Sequence, residues 1–204
     1  MLDTIVRGGL VVDGSGASPR VADIGIRNGA IEVIGAIALA GEQEIDARGL
    51  VVTPGFVDIH THYDGQVVWD PYLNPSCLHG VTTVVMGNCG VGFAPVRPGE
   101  REWLIRLMEG VEDIPGTVLA EGIDWQWESF PQYLAALRQK RFALDVAAQI
   151  PHGPLRTWVM GARGADPTVH PTQAEIRAMG ELVSEALALG AIGFSTSRTV
   201  VHRS

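Results

Sequence analysis

The chain has 204 residues, 46% of them hydrophobic, and a formal net charge of -8, which is enough apolar material for one ordinary domain or one and a half small ones. Acidic and basic residues are mixed rather than blocked, which argues against nucleic acid or an anionic membrane as partner, and no apolar run reaches the roughly 18 residues of a membrane span. Met1-Leu2-Asp3-Thr4 lacks the basic start and apolar block of a secretion signal, so the cytoplasm is the expected location.

Two cysteines, Cys77 and Cys89, are too few for a disulfide framework and fit a reducing compartment. Residues 1–52 read as short strands. Thr4-Ile5-Val6 and Leu10-Val11-Val12 flank Gly8-Gly9, and Asp13-Gly14-Ser15-Gly16 is a turn cluster. Asn28-Gly29 separates Ile24–Arg27 from Ala30–Ile34, and both turn residues tolerate the positive φ of a type I′ hairpin. Glu44–Ala47 and Leu50–Val52 complete a small β module.

From residue 53 the pattern becomes buried strands alternating with helices, which implies a parallel sheet. In the run Pro54-Gly55-Phe56-Val57-Asp58-Ile59-His60-Thr61-His62, the first two residues punctuate a turn and the rest begins as an apolar strand. Side chains of a strand alternate, so His60 and His62 are expected on one face, near enough to hold a single ion. Asn74-Pro75 opens a short helix closed by Gly80, and Val81–Met86 is a second, β-branched strand that runs into Asn88-Cys89-Gly90. Arg101–Val111 reads as helical, and 113–127 as a long, lid-like excursion with Trp125 and Trp127 at period two. Ser129 caps a helix to about Lys140, with Phe130, Tyr133, Leu134 and Leu137 on one face. Phe142–Ile150 is a third strand ending at Pro151-His152-Gly153, and a short helix covers Leu155–Met160. Thr172-Gln173-Ala174-Glu175 is a capping box for a helix stopped by Gly190, and Ala191–Thr196 is a fourth strand.

A closed β/α barrel needs eight strands and about 250 residues. The pattern therefore leaves two architectures: an open four-stranded α/β sheet, or the front part of a larger barrel enzyme.

In a parallel sheet consecutive strands deliver their C-terminal ends to one rim, so Cys89 either stands beside the two histidines as a ligand or is an inert, buried small hydrophobe. Two imidazoles and a thiolate form a soft nitrogen and sulfur set that suits zinc over magnesium or calcium. Cys77, inside a helix, reads as a small buried hydrophobe, and His79 as a helix-end residue. His152 ends the third strand, where it either touches substrate or is a satisfied structural histidine. Arg156 either meets a substrate carboxylate or covers the outer surface. Asp58, two residues before His60, is placed to orient a ring or to pair elsewhere. His170 and His202 carry no signal. There is no glycine-rich phosphate loop, no G-x-S-x-G elbow and no C-x-x-C.

The run from Pro54 to His62 resembles the first barrel strand of the amidohydrolase superfamily, including the small β module before it. Gly80-Val81-Thr82-Thr83-Val84-Val85-Met86-Gly87-Asn88-Cys89-Gly90 resembles the N-acyl-D-amino-acid deacylase (D-aminoacylase) branch, and Ile123–Phe130 and Gly193–Ser197 look like segments of it. The implied fold is α/β, with a small N-terminal β module (a partial β-sandwich, 1–52) followed by the first half of a TIM-like β/α barrel (53–204, about four β/α units). The implied activity is zinc-dependent hydrolysis of the amide of N-acyl-D-amino acids by metal-activated hydroxide, with a small-molecule substrate. His60 and His62 match the family's H-x-H pair, and Cys89 matches the cysteine that takes the place of a carboxylated lysine as bridging ligand. The family's two further histidines and its aspartate would lie on later strands, past residue 204, so the chain reads as an N-terminal part and no catalytic residue is assigned. Ser197-Arg198 offers no clear pocket for a substrate carboxylate.

Two other readings stand beside this one. A hydantoinase-like cyclic-amide hydrolase of the same superfamily is disfavoured by Cys89 in place of a lysine ligand. A non-catalytic half-barrel would bind a metal, or a partner, through its exposed last strand, and self-association would follow from that edge.

Overall fold

The computed structural model describes residues 1–112 and 114–197. Arg198 and His202 lie outside the described residues, as does Asp113, where the expected excursion begins. The chain divides into two compact units, Met1–Gly55 and the remainder from Phe56.

The first unit is a five-stranded mixed sheet. Its strands are β1 (Leu2–Val11), β2 (Arg20–Arg27), β3 (Ala30–Gly35), β4 (Gly41–Asp46) and β5 (Val51–Val52). The order is β3-β2-β1-β4, with β5 also on β1. The two short strands expected around Gly8-Gly9 are one ten-residue strand whose register against β2 shifts between Val6 and Gly9. Gly8 absorbs the shift at φ +64, a conformation that other residues rarely take. The Asn28-Gly29 turn forms as expected, with both residues at positive φ and Arg27 facing Ala30. Inside the module Arg7 donates to the carboxylates of Asp23 (3.0 Å) and Glu44 (2.6 Å) and to the carbonyl of Ile37 (2.6 Å). Asp23 also accepts the Gly8 N–H at 2.9 Å, so one carboxylate ties the bulge to the neighbouring strand.

The second unit is built on a four-stranded, wholly parallel sheet in chain order: β6 (Phe56–Asp58), β7 (Val81–Met86), β8 (Asp145–Pro151) and β9 (Gly193–Ser195). Helices α1 (Arg101–Glu112), α2 (Gly116–Gly122), α3 (Phe130–Arg138), α4 (His152–Met160) and α5 (Gln173–Ala188) occupy the connections. Ser129 caps α3 by accepting from Gln132 N–H, and Thr172 caps α5 by accepting from Glu175 N–H. Phe130, Tyr133, Leu134 and Leu137 are buried together on α3, as their spacing requires. The core also takes Val84 and Met86 of β7, Ile150 of β8, and Leu104 and Met108 one turn apart on α1.

Three expectations change. The helix after Asn74-Pro75 is a single 3-10 turn, Ser76–His79, closed by Gly80 at φ +78. The excursion before Trp127 carries the short helix α2, whose Leu119 is fully buried. The third strand starts at Asp145 rather than Phe142, because Ala143 N–H is drawn to the carbonyl of Pro71 instead of joining the ladder.

Candidate metal centre

Four strands bring their C-terminal ends to one rim. Residues 59–64 follow β6, Gly87–Gly90 follow β7, His152 follows β8, and Ser195 ends β9.

Strand β6 stops at Asp58, so His60 and His62 are not set on one face by strand alternation, as the spacing suggested. They belong to the segment leaving the strand. That segment stays in register because Thr61 N–H and Thr61 Oγ1 both donate to the carbonyl of Val85, at 3.0 and 2.7 Å. The two imidazole centroids are 5.4 Å apart, with planes inclined at 63°. Asp58 accepts the main-chain N–H of His60 at 3.2 Å, so its contact is with the backbone that carries the ring.

Cys89 completes the group. Its Sγ is 3.1 Å from His60 Nε2, and one ligand atom from each of His60, His62 and Cys89 lies within 4.8 Å of the others. Cys89 reaches this position in the left-handed region, φ 55 and ψ 12, which costs a non-glycine residue about 1–2 kcal/mol. Gly87 (φ 77) and Gly90 (φ 74) share the conformation and let the loop turn sharply. A side chain is excluded at Gly87, where a Cβ would sit 2.1 Å from the carbonyl oxygen of Gln149.

Side chains from other strand ends hold the loop. Asn88 Nδ2 donates to the carbonyls of Val85 (2.8 Å) and Thr61 (3.2 Å), and its Oδ1 accepts from Gln149 Nε2 at 2.9 Å. Ser195 Oγ accepts from Gly90 N–H at 3.0 Å and donates to the carbonyl of Gly87. Asp64 is fully buried. Its carboxylate accepts main-chain N–H groups, including that of Gly87, while Oδ2 has no hydrogen-bond partner among the described residues. Burial pushes the Asp64 carboxyl up to about 7, and burial followed by the nearby Asp64 charge pushes the Cys89 thiol up.

These features fit a divalent zinc ion. Sulfur and nitrogen at ordinary zinc distances with tetrahedral angles stand about 3.5 Å apart, close to the 3.1 Å between Cys89 Sγ and His60 Nε2. Asp64 Oδ2, buried near this group without a hydrogen-bond partner among the described residues, is an acceptor that the charge of a cation would favour.

His152 lies on the same rim as the first residue of α4, with its Cβ about 3.3 Å from where a Cβ at Gly90 would stand. Its ring meets that of Phe194 edge-on at 6.2 Å. Arg156, one turn further along α4, is buried and directed elsewhere. It donates to the carbonyls of Gly164 (3.0 Å), Asp166 (3.0 Å) and Val169 (2.7 Å), holding the segment after α4. Cys77 is half-buried and donates to Asn74 Oδ1 at 3.2 Å, away from the ligand group. A surface depression of about 290 Å³ opens beside His62, lined by Asp58, Tyr63, Gln66 and Ser76 among others.

Asp64, Asn88, Gln149 and Ser195 were not singled out from the sequence. The glycines on either side of Asn88-Cys89 were a signal that this strand end turns tightly and needs support.

Residues 43–203 match the model of the amidohydrolase family. The chain belongs to that family. This amidohydrolase is 39% identical over 195 residues to the D-aminoacylase of Alcaligenes xylosoxydans xylosoxydans, a match covering 95% of this chain and 37% of that protein. A crystal structure of D-aminoacylase superposes with a TM-score of 0.79 at 38% identity, over 96% of this chain and 38% of the other. The N-acyl-D-glutamate deacylase of Bordetella bronchiseptica, solved with zinc and a phosphonate mimic of the tetrahedral intermediate, gives 0.78 at 39% identity, over 96% and 38%. The chain thus spans about a third of the length of the curated relatives it matches. Among the described residues, no helix of this amidohydrolase is long and apolar enough to cross a membrane.

Proposed function

We propose that this amidohydrolase binds zinc through His60, His62 and Cys89 and serves the hydrolysis of the amide bond of N-acyl-D-amino acids. The observation that carries the reading is the convergence of two imidazoles and one thiol within 4.8 Å at the C-terminal rim of a parallel sheet. The kinship with D-aminoacylase and N-acyl-D-glutamate deacylase supports the substrate class.

Bound zinc would polarise the acyl carbonyl and lower the pKa of a water molecule to about 7. His60 and His62 contribute neutral nitrogens, which their tautomers must leave unprotonated toward the site. Cys89 contributes its sulfur after giving up a proton, so metal uptake releases protons and weakens as pH falls. Asn88 and Asp58 hold the two ligand-bearing backbones through main-chain contacts, and His152 offers a polar group to substrate on the same rim. Proton transfer to the leaving amine is not assigned to any described residue.

Calorimetric titration with a phosphonate analogue of an N-acyl-D-amino acid tests the reading. Binding that requires zinc and prefers the D over the L form is expected. Equal binding with and without zinc, or preference for the L form, would overturn it.

A further inference from the structure

We infer that Ser195 is a positioning residue for the Cys89 ligand, acting from the fourth strand through the backbone on both sides of the cysteine. The inference rests on the metal-binding reading above and concerns how that site is held.

Three of the four residues Gly87–Gly90 have left-handed backbones, and Cys89 is the one without glycine's freedom. Nothing in such a local sequence fixes which way the sulfur faces, so the direction must come from outside the loop. Ser195 is 9% exposed and its hydroxyl does two things at once. It accepts from Gly90 N–H and donates to Gly87 C=O, so a single oxygen clips the residues immediately after and two before Cys89. The partners are 105 and 108 positions away in sequence. The clip therefore forms only when β9 has docked beside β8, where Pro151 pairs with Ser195. Asn88 and Gln149 brace the loop separately, through the Asn88 side chain. Removal of the Ser195 hydroxyl leaves that brace intact while freeing the Gly87 carbonyl and the Gly90 N–H. Ligand presentation, rather than the fold, is what the hydroxyl secures.

The test uses the purified chain with cobalt in place of zinc, reading the thiolate-to-cobalt charge-transfer band against the visible d–d band of the same sample. Ser195→Ala is expected to weaken cobalt affinity 10- to 100-fold, the range typical of groups that support a ligand. The charge-transfer band should also fall relative to the d–d band at saturation, a change that partial unfolding alone would not produce because it scales both bands together. Ser195→Thr, which keeps the hydroxyl, should restore the ratio, and Ser184→Ala, on the surface of α5, should leave it unaltered. A Ser195→Ala protein with wild-type affinity and an unchanged ratio would overturn the inference. A wild type with no thiolate band, or one that Cys89→Ala does not abolish, would instead remove the metal reading on which it rests.

Discussion

The sulfur of Cys89 lies 3.1 Å from Nε2 of His60, although 29 positions separate the two residues. The contact exists because β6 and β7 are parallel neighbours, with Asp58 opposite Val84, so each strand exits onto the same rim. A cation bound there links two adjacent strand ends. Saturation with zinc at about 100 times the dissociation constant should stabilise the fold by about 2.7 kcal/mol. Chelator should remove that increment in wild type and no more than about 1.4 kcal/mol in Cys89→Ala at the same zinc concentration, given at least a tenfold weaker site, as read from denaturant midpoints.

Glycines separate backbone strain from steric exclusion. Gly87→Ala would place a Cβ 2.1 Å from a main-chain oxygen at φ +77, whereas Gly29→Ala meets open space at φ +74. The first should cost about 3 kcal/mol or more and the second about 1 kcal/mol. Urea unfolding of the two variants measures the difference.

Much of this arrangement was legible in the chain. The Asn28-Gly29 hairpin, the Ser129 and Thr172 caps and the buried face of α3 each depend on residues close in sequence, and each forms as read. The pairing of His60 and His62 was reached for a partly different reason: β6 ends before them, and Thr61 keeps them on the rim through Val85. The supports of Cys89 were not legible. Ser195 and Gln149 act across 61 residues or more, Ser195 on main-chain groups that carry no residue-type signature and Gln149 on the Asn88 side chain. For Arg156 the sequence left a substrate carboxylate or the outer surface open; the structure has it buried and donating to three carbonyls that only the chain path over 164–169 supplies.

In the N-terminal sheet Asp23 is held below the usual carboxylate range, first by the Gly8 N–H and then by Arg7. A depressed carboxylate contributes stability above its unfolded pKa of about 3.9, and that contribution is lost as pH falls through the folded value. Stability should therefore decline below about pH 4, and Asp23→Asn should flatten this part of the profile. Denaturation curves between pH 7 and pH 3 check it.

Arg156 donates to three carbonyls from a buried position, so Arg156→Met should cost about 2–3 kcal/mol by leaving acceptors unpaired. Zinc content should be unaffected. Thermal unfolding together with metal analysis separates this role from one at the metal centre.

The central claim is that two imidazoles and a thiolate from neighbouring strand ends hold one zinc ion. Metal analysis of the wild type beside His62→Ala and Cys89→Ala, each purified with zinc and dialysed alike, addresses it most directly. Bound zinc in the wild type and at least a tenfold loss of affinity in both variants is the predicted result. Equal zinc content in all three proteins would contradict it.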